Sequence, residues 1–252
     1  MKFSLMRSAR KPTSPAARIL TGWLYAFAAL LLVAAGVAWV INSTYFPIRH
    51  VTISKSDNAA FERIDRAELI AAKNDSIVGN IFKVNLNRIK SRFESIPWAQ
   101  EAEVTRIWPD TIAVRIVERV PVAYWNDDYL LDKNGELFIA PATDTLPRFY
   151  GPQASETTMV ETYAQIAPLL ARENLRLVRL DYSDRFAWQL ELSNGITVKL
   201  GRNDTVKRVA RFVEHWQNTL QPQADALLYV DMRYANGFAI QLRTGTPTLP
   251  AN

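Results

Sequence analysis

The side chains able to perform chemistry in this chain are few and scattered. It holds two histidines, His50 and His215, no cysteine, and carboxylates without any recognisable catalytic or metal-binding spacing. Neither histidine is flanked by a nucleophile motif or a glutamate-rich metal pattern, so both are expected at the surface or in packing. The lack of cysteine excludes a thiol nucleophile, iron–sulfur ligation, cysteine-based zinc sites and a disulfide framework. None of the nine glycines is separated from another by a single residue, and none precedes Lys-Ser or Lys-Thr. That excludes the G-x-G-x-x-G loop and the P-loop, so nucleotide chemistry has no visible seat. Asp127, Asp128 and Asp132 cluster, but Leu130 stands where a calcium loop needs its first acid, so a turn is expected in place of a ligand set. Paired carboxylates of the glycosidase kind leave no spacing signature and stay open at this level. The expectation is a non-enzymatic protein with no catalytic residues, cofactor, metal or small-molecule substrate.

Charge gives a different kind of information. The formal net charge of +5 comes from 30 Lys+Arg against 25 Asp+Glu. Five of those bases, Lys2, Arg7, Arg10, Lys11 and Arg18, fall among residues 1–18, where no acid occurs, which leaves 25 bases against 25 acids beyond them. A formally neutral body has no basic excess with which to release counterions from a phosphate backbone, so nucleic acid is not an expected partner. Directly after the basic leader, residues 19–41 read ILTGWLYAFAALLLVAAGVAWVI without one charge. As a helix this segment spans roughly 34 Å against a hydrocarbon core of about 30 Å. Its Leu, Ile, Val and Phe side chains favour insertion by about 3–7 kcal/mol, and nothing opposes them. The competing readings are a buried core helix and a cleaved signal peptide. No amphipathic pattern supports the first, and the apolar run outlasts the roughly 7–15 residues of the second, despite an Ala-x-Ala at Ala26–Ala28. Five bases precede the span, and Arg49 alone is basic in the first dozen residues after it, which predicts a cytoplasmic N-terminus and an external remainder.

The elements that must build the external part follow from periodicity. After a linker over 42–47, strand alternation runs from Ile48 to Ser54, and Asp65 with Glu68 three residues on makes a capping box for a helix to about Lys73. Asn85 caps a second helix carrying Leu86, Ile89, Phe93 and Ile96, which Pro97 ends. Strands at Ala102–Ile107 and Thr111–Glu118 meet through Trp108-Pro109-Asp110 and complete a β-α-α-β-β unit over 48–118, whose two helices can bury their stripes only on one sheet face. A β-rich domain with flanking helices is expected over 119–243, followed by a flexible tail at 244–252. In it, Asn134-Gly135 signals a type I′ hairpin, a helix over Glu156–Glu173 is interrupted or bent at Pro168, and strands lie near 175–182, 187–192 and 196–200. Asp204 caps a helix with Val206, Val209, Phe212, Val213 and Trp216 on one side. Leu228, Val230 and Met232, then Phe238, Ile240 and Leu242, flank Asn236-Gly237 as a terminal hairpin. The fold class is therefore α+β behind a single membrane helix.

At residues 104–125 the run VTRIWPDTIAVRIVERVPVAYW resembles the FtsQ/DivIB family of bacterial cell division proteins. The family's pattern at the close of its POTRA domain is filled by Arg106, Trp108, Pro109, Thr111, Ile112, Val114, Ile116, Glu118, Arg119, Pro121, Val122 and Ala123. Leu131-Asp132 with Gly135 and Phe138, residues 147–152, Leu200-Gly201-Arg202 and Asp231-Met232-Arg233-Tyr234 agree in order. The resemblance implies a single-pass inner-membrane divisome protein that joins FtsB and FtsL at midcell, links early and late division proteins, and helps recruit and regulate septal peptidoglycan synthesis. It implies an FtsB strand added beside the last hairpin, contacting Tyr234, Asn236, Gly237, Phe238, Ile240 and Leu242, with Arg202 and Arg233 facing acids of FtsB. The aromatic that family members carry near the strand end is Leu242 here. Two alternatives accompany this reading. In one, Tyr234 and Phe238 are packing residues of their own sheet and the arginines are solvated; in the other, the chain is a POTRA-bearing component of polypeptide transport or outer-membrane assembly. A downstream membrane β-barrel or a cleaved leader would favour the latter, and neither is expected in these 252 residues.

Overall fold

The computed structural model describes residues 15–42, 45–142 and 144–243. Most of the basic leader and the tail from Thr244 lie outside them. The chain divides after Val117 into two compact units.

The first unit opens with α1 (Pro15–Asn42), whose Gly22–Ile41 stretch is long and apolar enough to cross a membrane. Leu24 and Leu32 are 66% and 74% exposed, so this helix is not a core element of the fold. There follow β1 (His50–Lys55), α2 (Arg66–Ser76), α3 (Leu86–Glu94), β2 (Ala99–Ile107) and β3 (Thr111–Glu118). Both expected caps form. The Asp65 carboxylate accepts from the Ala67 N–H while Glu68 accepts from the Asp65 N–H at 3.2 Å, and Asn85 Oδ1 accepts from the Arg88 N–H at 3.1 Å. The strand order is β1-β3-β2, with β1 parallel to the central β3. Centrality explains why Ile112, Val114 and Ile116 are fully buried beneath Leu69 of α2 and Ile89 and Phe93 of α3.

The second unit is one mixed sheet. Its strands are β4 (Pro121–Trp125), β5 (Tyr129–Asp132), β6 (Leu137–Phe138), β7 (Arg148–Tyr150), β8 (Leu177–Tyr182), β9 (Trp188–Leu192), β10 (Thr197–Gly201), β11 (Leu227–Asp231) and β12 (Ala239–Leu242). Their order is β12-β11-β10-β9-β8-β7-β4-β5-β6. Three neighbouring pairs, β4/β7, β7/β8 and β10/β11, are parallel; the β5–β6 hairpin lies between the strands of the first, and α4 (Glu156–Ala171) and α5 (Thr205–Glu214) supply the crossovers of the other two. Both crossovers step the same way across the sheet from strands of the same direction, so one handedness puts both helices on one face. Met159, Ile166 and Leu170 of α4 and Val209 and Phe212 of α5 share a core there with Leu180, Leu190 and Val198 of the sheet.

Several local expectations are corrected. A type I′ turn needs two residues at positive φ, and at 134–135 only Gly135 (φ 82°) has it. The Gly135 N–H donates to Asp132 O and the Asp132 N–H to Glu136 O, a longer loop with glycine in the left-handed position. Asn194-Gly195 repeats that arrangement, with Gly195 N–H bonded to Leu192 O. The left-handed pair occurs one hairpin earlier, at Asn126 (φ 46°) and Asp127 (φ 68°). Helix α4 runs unbroken through Pro168. Asp204 stands at the N-cap position of α5 but adopts a left-handed conformation (φ 55°) and makes no capping hydrogen bond. The Asp132 carboxylate anchors its turn, accepting from the Asn134 and Glu136 N–H groups at 2.9 and 3.0 Å and pairing with Arg119 at 2.8 Å.

Candidate functional site

The expected binding residues gather where the second sheet ends. Strand β12 pairs antiparallel with β11 (Asp231↔Ala239, Val230↔Ile240, Tyr229↔Gln241), and among the described residues nothing pairs with its other side. Two hydrogen bonds set which backbone groups face out. The Met232 N–H donates to Lys199 O of β10 (2.9 Å), so by alternation the Asp231 and Tyr229 N–H groups point to β12, opposite Ala239 and Gln241. The Arg243 N–H donates to Ala226 O (2.8 Å), which again turns Gln241 and Ala239 inward. Ile240 and Leu242 therefore direct their N–H and C=O groups toward the open edge. On the core-side face the row Phe238, Ile240, Leu242 continues the apolar layer, with Ile240 and Leu242 39% and 38% exposed.

The connection between the strands is wider than an Asn-Gly turn. It runs from Met232 to Phe238, and neither Asn236 nor Gly237 has positive φ. The alternation expected for the preceding strand also slips: a register shift between Leu227 and Tyr229 buries Leu227 and leaves Leu228 42% exposed. The wide loop has its own clamp. The Arg211 guanidinium of α5 donates through Nη1 to Ala235 O (2.6 Å) and through Nη2 to Met232 O (3.0 Å) and Tyr234 O (2.8 Å). At the far end, Arg243 donates through Nε to Leu227 O (2.9 Å) and through Nη2 to Gly195 O (3.2 Å). Sequence reasoning missed both arginines. A base on a helix or after a strand carries no signal of the distant carbonyls it will serve.

The proposed contact residues differ in availability. Tyr234 is 58% exposed and Asn236 is also exposed, both on the loop leading into β12, and Arg202 is exposed just after β10, two strands in from the edge. Phe238 is partly buried against the unit's own core, its ring 5.5 Å from that of His215. The packing alternative therefore describes Phe238 and not Tyr234. Arg233 is not simply solvated: its Nε and Nη2 hold the buried Asp231 carboxylate at 2.8 and 2.6 Å, and its N–H donates to the same group at 3.1 Å. The Arg233 hydrogen bond holds the Asp231 carboxyl below the usual carboxylate range, against the opposing effect of burial. Gly201, at the end of β10, has φ 74°, and a Cβ there would lie 2.8 Å from Arg208 Nη1 and 3.2 Å from Arg233 Cγ. Arg202 and Arg233 are thus brought to the same end of the sheet. Among the described residues no cluster of His, Asp or Glu is arranged to hold a metal.

Residues 46–119 match the family model described as POTRA domain, FtsQ-type, and residues 123–233 match that of Cell division protein FtsQ/DivIB, C-terminal. The chain belongs to the FtsQ/DivIB family. Cell division protein FtsQ of Neisseria gonorrhoeae is 35% identical over 223 residues, covering 88% of this chain and 90% of that protein. The FtsQ of Burkholderia pseudomallei is 36% identical over 225 residues, 86% of this chain and 88% of that one. That of Escherichia coli is 36% identical over 170 residues, 64% and 62% of the two chains. The match to the FtsQ/DivIB C-terminal model stops at Arg233, so Tyr234 to Leu242 lie beyond it.

Proposed function

We propose that the chain is a non-enzymatic divisome protein whose work is done by strand addition at β12. The single observation that carries this reading is the free edge: the outward N–H and C=O groups of Ile240 and Leu242 sit beside a half-exposed apolar row, with both strand ends tied down by Arg211 and Arg243. An unpaired edge accepts an extended peptide through main-chain hydrogen bonds, and alternate side chains set the register. An edge already ordered loses less conformational freedom on binding. The partner proposed for this edge, in keeping with a divisome role of the family, is a strand of FtsB, in a ternary complex with FtsL. Tyr234, Asn236, Gly237, Phe238, Ile240 and Leu242 form the contact, with Tyr234 as the exposed aromatic anchor and Phe238 held partly buried against the unit's own core. Arg202 is the readier cation for acids of FtsB, because two nitrogens of Arg233 already hold Asp231.

In this reading α1 spans the inner membrane with the basic N-terminus cytoplasmic, both folded units are periplasmic, and the complex recruits and regulates septal peptidoglycan synthesis at midcell. No observation favours the transport alternative. An in-cell photo-crosslinking scan from Arg233 to Leu242 tests the proposal. Crosslinks to FtsB should peak at Tyr234, Ile240 and Leu242, and their absence along the whole edge would overturn it.

A further inference from the structure

The first unit carries a second exposed feature, at its membrane-proximal end. The chain leaving α1 does not run free into the domain. The Ile48 N–H donates to Gly79 O (3.1 Å), the Ile81 N–H donates to Phe46 O (3.1 Å), and Pro47 bridges to Asn80. The loop between α2 and α3 is thereby bound to the residues that emerge from the span. Phe46 stacks edge-on against Phe82 (5.3 Å between centroids), and Phe82 against Trp108 (4.9 Å). Around this stack Val78 is 75% exposed, Tyr45 74%, Trp108 57% and Ile107 52%. Four large apolar or aromatic side chains grouped on one end of a small domain are not explained by its core.

The tether says what lies beside them. Gly22–Ile41, as 20 helical residues, fills about 30 Å and matches the hydrocarbon core, which places Asn42 at its boundary. From Asn42 to Phe46 the backbone reaches at most about 14 Å. The stack and the loop bound to residues 46–48 are therefore confined to the vicinity of the headgroup layer, which extends roughly 5–8 Å beyond the core on each side. Indole and phenol rings favour that layer, and Arg49 and Lys83, both exposed near the stack, suit its anionic headgroups. β1 then carries the chain away from the stack by roughly 16 Å, so Ser56 marks the opposite end of the unit.

We propose that Val78, Ile107 and Trp108 dock this end of the POTRA unit into the lipid headgroup interface. The inference rests on the reading of α1 as a membrane span. Docking through the second unit's edge plays no part in it. It adds a second attachment that restricts the swing of the domain about the short linker.

The chain's lack of cysteine makes the test direct. Full-length protein is reconstituted in vesicles of phosphatidylethanolamine and phosphatidylglycerol, with a nitroxide on Val78→Cys, Leu32→Cys or Ser56→Cys in turn. Collision rates with oxygen, which partitions into lipid, and with a water-soluble nickel chelate report each label's surroundings. The oxygen-to-nickel ratio should be highest at 32, lowest at 56, and at 78 about threefold or more above 56. Trp108→Ser or Ile107→Ser, each in the Val78→Cys background and checked for an unchanged melting curve, should return the ratio at 78 to that of 56. A lipid-exposed label at 32 with an aqueous one at 78 overturns the docking and leaves the span standing. An aqueous label at 32 overturns the span itself. A label at 78 shielded from both reagents shows that protein covers the patch, which also overturns lipid docking.

Discussion

Replacing Ile240 by proline separates strand addition from every other use of the second unit. The Ile240 N–H points away from β11, so the ladder that holds β12 in the sheet does not use it. Proline is tolerated at such an outward edge position, and the preceding Ala239 is already extended, as proline requires. The folding cost is therefore confined to the partly exposed side chain. Binding loses more. One main-chain hydrogen bond to the added strand disappears, worth about 0.5–1.5 kcal/mol net, and the partner's carbonyl is left buried without a donor for about 1–3 kcal/mol more. Taking about 2–4 kcal/mol together, Kd for FtsB should rise roughly 30- to 700-fold. Ile240→Val keeps the N–H and most of the side chain, and should cost less than about 1.5 kcal/mol. Gln241→Pro attacks a donor that faces Tyr229 and should lower the thermal midpoint of the unit, which Ile240→Pro should not. The assay is titration of full-length protein in nanodiscs with FtsB, alongside melting curves of each variant. An Ile240→Pro protein that binds FtsB with unchanged affinity refutes strand addition at β12.

Removing the loop clamp with Arg211→Ala should raise amide hydrogen exchange of 232–236 and weaken FtsB binding, while leaving the span and the first unit untouched. Arg211→Lys should not restore either, because a single ammonium cannot serve three carbonyls from two nitrogens as the guanidinium does. The Asp231 carboxyl should titrate below the ordinary value near 3.9 in a carbon-13 NMR titration, and return upward in Arg233→Ala. Since its folded value is depressed, the stabilisation from this pair is complete above the unfolded value and is lost as pH falls through the folded one, so the edge should keep its shape across the neutral range and loosen only in acid. In the first unit, Phe93 is fully buried, and Phe93→Ala should destabilise that unit by about 3–5 kcal/mol in chemical denaturation.

What could be read before the fold was known depended on how local its cause is. The span, the β-α-α-β-β order and the two helix caps rest on periodicity and on side chains that bond within three residues of themselves, and Asp65 and Asn85 do so here. Asn-Gly pairs marked the loops at 134–135 and 194–195 but not their geometry. The hydrogen bonds from Asp132 and Leu192 accommodate a longer loop in which only the glycine turns left-handed. At 236–237 the same dipeptide is no tight turn at all, because Arg211, 21 to 24 residues earlier, holds the preceding carbonyls in a wide loop.

The candidate site shows the same division. The residue types of the last hairpin were legible. Composition and charge alone determined that one helix is apolar enough to span a bilayer and that the basic excess sits before it. Only the tertiary structure decided that Phe238 turns into its own core, that Arg233 spends its fork on Asp231, that Arg211 and Arg243 pin the strand, and that Ile240 presents its backbone outward. Each of these is a pairing between residues whose separation in the chain leaves no periodic trace, and it exists only once the parallel crossovers of α4 and α5 have stacked nine strands in an order the chain does not follow.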